Sequence, residues 1–154
     1  PLPVIAYAKE IGATQEKLLR AVPISDLITI HQKTGIGRLS AFCGATSAGI
    51  GAACGIAWLD GGDYEVIAHT IVNGLAILSG MVCDGAKPSC AAKIATAVRN
   101  GLLGYQMYRQ GCQFYGGDGI VTKGVENTIA NVGRLANRGM RSTDCEILNI
   151  MIGN

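Results

Sequence analysis

Between Leu39 and Leu59 the chain carries no charge at all: Leu-Ser-Ala-Phe-Cys-Gly-Ala-Thr-Ser-Ala-Gly-Ile-Gly-Ala-Ala-Cys-Gly-Ile-Ala-Trp-Leu. Nothing else in the sequence restricts the fold as much. As one helix the run would be about 31 Å long, enough to cross a bilayer. Gly51-x-x-x-Gly55 also has the small-residue spacing of paired membrane helices, so a membrane span is the rival class. Against it, Gly, Ala, Ser and Cys gain little from lipid, and the next helical pattern carries Glu65, His69 and Asn73. The preferred reading is a central buried helix whose small residues let neighbours approach closely, with Cys43 in its first turn or two.

The rest of the chain supplies those neighbours. Val4 to Ile11 reads as a short helix ended by Gly12. Thr14 caps a second, Gln15 to Val22, which Pro23 closes. Ser25 opens a third, running to Lys33 before Gly35 and Gly37. Asp63 caps a helix from Tyr64 to Val82, on which Tyr64, Ile67, Ile71, Leu75, Leu78 and Val82 recur at helical intervals. Another runs from Cys90 to Arg109, with Gly101 and Gly104 marking close helix contacts. Residues 113–123 are glycine-rich, but no strand precedes them and Lys123 is out of place for a phosphate loop, so they read as a turn. Val125 to Asn137 is helical, and Thr143-x-x-Glu146 reads as a capping box for a last helix. No alternating strand and no internal repeat is present. The expected fold is all-α: one compact multi-helix domain over residues 1–154.

Charged residues are only 16% of the chain and hydrophobic ones 49%, which excludes disorder. A net charge of +2 without a Lys/Arg run gives no nucleic-acid signature. Six cysteines in a long apolar chain fit reduced thiols in a cytoplasm better than a stapled scaffold. No signal peptide is visible, and the chain opens on Pro1-Leu2-Pro3 without Met.

Two of those cysteines flank a tight loop in Met81-Val-Cys-Asp-Gly-Ala-Lys-Pro-Ser-Cys-Ala-Ala-Lys-Ile94. Pro88 keeps Lys87 out of the α region, and Ser89 is a natural N-cap. Cys83 is therefore expected at a helix C-terminus and Cys90 just inside a helix N-terminus, where the dipole favours thiolate, the form that binds metal or attacks. Packing is the competing account, because free cysteine is among the most buried residue types and Cys-x6-Cys is not a standard zinc or ferredoxin spacing. Asp84 and Lys87 share the loop and are candidates to exchange protons with something bound there; the plainer role for Asp84 is to hold loop N–H groups. His31 and His69 each lack a second ligand at i+4 and read as packed or surface residues. Arg38, Lys93 and Arg99 could bind a carboxylate but fit solvated surface. Cys54, Cys112 and Cys145 read as core or surface thiols.

Over Ser79-Gly-Met-Val-Cys-Asp-Gly-Ala-Lys-Pro-Ser-Cys-Ala-Ala-Lys-Ile94 the sequence resembles the L-cysteine desulfidase family, relatives of the iron–sulfur L-serine dehydratase alpha chains. The likeness extends to Pro3-Val-Ile-Ala-Tyr-Ala-Lys-Glu10, Gly37-Arg-Leu-Ser-Ala-Phe-Cys-Gly-Ala45, Val125-Glu-Asn-Thr-Ile-Ala-Asn-Val-Gly133 and Thr143-Asp-Cys-Glu-Ile-Leu-Asn-Ile-Met151. It implies a [4Fe-4S] cluster held by Cys43, Cys83 and Cys90, with one open iron acting as a Lewis acid and no pyridoxal phosphate. The implied reaction eliminates sulfide from L-cysteine to give pyruvate and ammonia, with L-serine as the runner-up substrate. Family members are longer, and their N-terminal region supplies a further reactive cysteine and a substrate loop. The resemblance is to the C-terminal, cluster-binding portion, so the implied partners are a small amino-acid substrate, that N-terminal portion and a further copy in a homo-oligomer. The alternative from another class is a non-catalytic helical module with packed cysteines.

Overall fold

The structure, a computed structural model, describes residues 1–153. Its helices are α1 (Leu2–Glu10), α2 (Gln15–Ile36), α3 (Gly44–Leu59), α4 (Tyr64–Ile77), α5 (Cys90–Arg109), α6 (Val125–Arg134) and α7 (Arg141–Ile152). A π-helical turn, Leu135–Gly139, joins the last two. The expected all-α class holds, and α3 is the buried centre, packed by α1, α2, α4 and α5.

Glycine sets how close those helices come. A methyl on Gly49 would lie 2.3 Å from the Ala97 backbone of α5, and one on Gly101 would lie 2.6 Å from the Gly49 carbonyl. On another face of α3, a methyl on Gly51 would fall 2.2 Å from Thr29 Oγ1 and 2.5 Å from the Ser25 carbonyl. Gly51 and Gly55 therefore form the seam against α2, as their spacing suggests, inside a helical core. No helix among the described residues is long and apolar enough to cross a membrane.

Local signals placed several ends well. Thr14 Oγ1 accepts from Lys17 N at 3.3 Å, and Asp63 Oδ1 accepts from Val66 N at 3.1 Å, so both caps are made. Four expectations need correction. Pro23 does not close a helix; α2 runs through it. Pro23 is exposed while Ala21 and Ser25 on the opposite face are buried, and their packing on α3 outweighs the loss of one solvent-facing hydrogen bond. The uncharged run is not one helix from Leu39, and α4 stops at Ile77 short of Val82. Both shortfalls have the same cause: Phe42 pairs with Val82 in an isolated antiparallel bridge, and Phe42 is 1% exposed. Val82 fits a helical interval yet stands on an extended segment, 42% exposed, and periodicity does not separate the two. Finally, Thr143 and Glu146 lie inside α7, which the chain enters from the π-turn without a side-chain cap.

The end of α3 far from Cys43 is closed by a polar clasp. Asp60 accepts hydrogen bonds from Tyr7 at 2.6 Å and from Tyr105 at 2.8 Å, and Arg109 donates to the Tyr105 hydroxyl at 2.9 Å. The hydrogen bond to Asp60 pushes the Tyr7 phenol up to about 12. Burial raises Tyr105, with the Asp60 carboxylate adding and Arg109 opposing. A phenol whose folded pKa exceeds its unfolded value stabilises fully below the unfolded pKa and loses that contribution as pH rises through the folded one. Thermal stability is therefore expected to fall between about pH 10 and 12, and Tyr7→Phe to flatten that fall in melting curves taken across the interval.

Candidate functional site

Three termini meet at the opposite end of the central helices: α3 begins, α4 has ended and α5 begins there. Cys43 is the N-cap residue of α3, not a member of its first turns, and its side chain makes no capping hydrogen bond. It is 9% exposed, beside the unpaired N–H groups at the positive end of a 16-residue helix. Its own N–H donates to Met81 O at 2.7 Å, and Cys83 N–H donates to Ala41 O at 2.6 Å. These two bonds flank the Phe42–Val82 bridge and bring the Cys43 and Cys83 segments side by side. Cys83 therefore sits on an extended strand-like segment beyond α4, correcting its expected place at a helix C-terminus.

Cys90 is the first residue of α5, as the loop chemistry suggests, although the Ser89 side chain does not cap it. The Cys90 thiol lies 3.7 Å from the Gly85 carbonyl. Gly85 has φ +87°, a turn geometry open to glycine and strained for other residues, and the Met151 methyl stands 3.4 Å from where its Cβ would be. The end of α7 thus rests against this loop.

One residue placed on the surface from sequence belongs here instead. Lys93 Nζ donates to Val82 O and to Asp84 Oδ1, each at 2.7 Å. Lys87 pairs with the other Asp84 oxygen. Asp84 and Lys87, the two titratable candidates of the loop, are therefore bonded to each other and to α5. The available signal for Lys93 was its position, one turn beyond Cys90 on the same helix face.

The remaining candidates lie elsewhere. Cys54 is wholly buried in the core, and burial pushes its thiol well up, which makes it inert; Cys112 and Cys145 are exposed. His31 pairs with Glu126 at 2.7 Å across α2 and α6. His69 stacks on Tyr108 with ring centroids 4.4 Å apart. A cavity of about 340 Å³ lined by His69, Phe114, Tyr115 and Lys123 opens by the first half of α4, away from the cysteine loop.

Among the described residues, no three His, Cys, Asp or Glu side chains are grouped as they would be around a single metal ion. A four-iron, four-sulfide cube sets its thiolates wider apart than one ion does, and soft thiolates are its usual donors. Cys43 and Cys83 lie on the two segments paired at Phe42 and Val82, and Cys90 is tied to the same loop through Gly85, so three thiols, donors of the type such a cluster uses, stand on neighbouring segments.

A sequence model of the family described as serine dehydratase alpha chain matches residues 1–149. Among curated relatives, the UPF0597 protein of Desulfitobacterium hafniense is 66% identical over 98% of this chain and 35% of its own length. That of Treponema denticola is 50% identical over 98% of this chain and 35% of its own. That of Lachnoclostridium phytofermentans is 52% identical over 98% and 36%. The chain thus spans little more than a third of these proteins, and their names state no activity. No solved structure matches the chain.

Proposed function

Because the chain belongs to the serine dehydratase alpha chain family, we propose that it is the cluster-bearing part of an iron–sulfur lyase acting on a small amino acid in the cytoplasm. L-cysteine is the proposed substrate and L-serine the alternative. The observation that carries this reading is the pairing of residues 41–43 with 81–83, which sets the Cys43 and Cys83 segments together beside the first turn of α5. Cys43, Cys83 and Cys90 would hold a [4Fe-4S] cluster. Bound there, the cluster supplies a Lewis-acidic iron that polarises the substrate's carboxylate and leaving group without pyridoxal phosphate.

The chain's own residues supply the frame. The α3 N-terminus offers N–H groups beside Cys43 and favours negative charge there. Nearly complete burial of Cys43 limits water on that side. Asp84 and Lys87 are the loop groups able to move a proton. Loss of the α-proton and the β-thiol from L-cysteine leaves an enamine, which water hydrolyses to pyruvate and ammonia. The remaining two thirds of the relatives' length is the proposed source of the substrate loop, so this chain alone should bind the cluster weakly and turn over little.

Anaerobic reconstitution with iron and sulfide, followed by iron counting, tests the reading. The chain is expected to take up iron, Cys43→Ala, Cys83→Ala and Cys90→Ala each to lose it, and Cys112→Ala to retain it. Iron uptake by Cys43→Ala equal to that of the parent chain would sink the assignment. Assaying a full-length relative with cysteine and serine side by side then decides the substrate.

A further inference from the structure

We propose that Lys93 is a positioning residue, a latch that holds Cys83 and Cys90 at a fixed separation for the cluster. This rests on the reading that those two thiols are ligands. Lys93 stands one turn into α5 from Cys90, and its ammonium reaches Val82 O and Asp84 Oδ1, the residues on either side of Cys83. Its two acceptors thus bracket one thiol, while its helix carries the other. Asp84 is engaged through both oxygens, by Lys93 and by Lys87. The Lys93 side chain is only 24% exposed, so these charge-assisted bonds are shielded more than an open surface pair.

The loop needs such a device. It contains Gly85 in a left-handed conformation, and while main-chain bonds such as Cys90 N–H to Lys87 O at 2.9 Å hold its second half to α5, Gly85 itself meets α5 through the weak bond from the Cys90 thiol to Gly85 O at 3.7 Å. That bond disappears once the thiol becomes a ligand, because the donor hydrogen is lost. The latch uses no thiol and survives metal binding. It also places two ammonium groups and one carboxylate by the loop, an excess of positive charge suited to an anionic thiolate-bound cluster.

The test compares Lys93→Met, which keeps the stem without the charge, with Lys93→Arg and Asp84→Asn. In the iron-free chain, alkylation of Cys83 and hydrogen exchange over residues 82–90 are followed by mass spectrometry. Exposed Cys112 serves as internal reference, and far-UV circular dichroism checks that the helices persist. Lys93→Met and Asp84→Asn are expected to speed Cys83 alkylation relative to Cys112 by roughly tenfold, the effect of losing one charge-assisted hydrogen bond. Lys93→Arg should restore most of the protection. In reconstituted chain, Lys93→Met should lose iron to a chelator faster than the parent, again rescued by Lys93→Arg. Unchanged alkylation and exchange in a folded Lys93→Met chain would overturn the latch, whatever the iron result. A loosened loop in Lys93→Met, with iron taken up equally by the parent and Cys83→Ala chains, would leave the latch in place and overturn its purpose together with the lyase reading.

Discussion

Gly49→Ala is expected to lower stability by about 3 kcal/mol, the upper part of the usual range for overpacking a core. Alanine is the better helix former, by about 1 kcal/mol, so propensity alone predicts the opposite sign. Sterics decide it. The added methyl would lie 2.3 Å from both the carbon and the oxygen of the Ala97 carbonyl. Those are backbone atoms that no rotamer change can move, so α3 and α5 must separate along their whole contact. Gly44→Ala is the control, because its nearest neighbour there is the flexible end of Lys33 at 3.9 Å. Melting temperatures should differ by about 10 °C between the two variants. If Gly49→Ala melts within about 2 °C of Gly44→Ala, the glycine seam does not govern the packing.

Asn73→Leu should cost a similar amount, about 3 kcal/mol, for a different reason. Asn73 is 0% exposed. Its amide nitrogen donates to Gly104 O at 3.0 Å and to Cys112 O at 3.4 Å, and its oxygen accepts from Phe114 N at 3.1 Å. One side chain on α4 thereby satisfies backbone groups of α5 and of the segment that follows it. Leucine fills nearly the same volume yet leaves the part-buried Phe114 N–H and Cys112 carbonyl without this partner. Hydrogen exchange at Phe114 should rise by roughly a hundredfold relative to the α3 core, as expected for a local opening eased by about 3 kcal/mol. Unchanged protection at Phe114 would show that the segment is held some other way.

What sequence could reveal followed the range of each interaction. The caps at Thr14 and Asp63 and the span Cys90–Arg109 depend on residues within a turn of one another, and they stand where local reasoning puts them. The reach of α2 through Pro23 depends on α3, and the short starts and stops of α3 and α4 depend on a pairing between Phe42 and Val82. Nothing within ten residues of either announces it. The same division runs through the candidate site. The Cys83–Cys90 loop was visible as a loop, whereas the N-cap position of Cys43 was not. Lys93 looked like any surface lysine because its acceptors, Val82 O and Asp84, lie across a turn whose path local rules leave open.

The two main-chain bonds that join Ala41–Cys43 to Met81–Cys83 have a consequence for how the protein is made. They enclose α3 and α4 entirely, so the first sulfur can reach the second only after that hairpin has docked. On the proposed reading, the thiols would therefore come together after helix docking, unlike those of a zinc finger, where the metal drives folding.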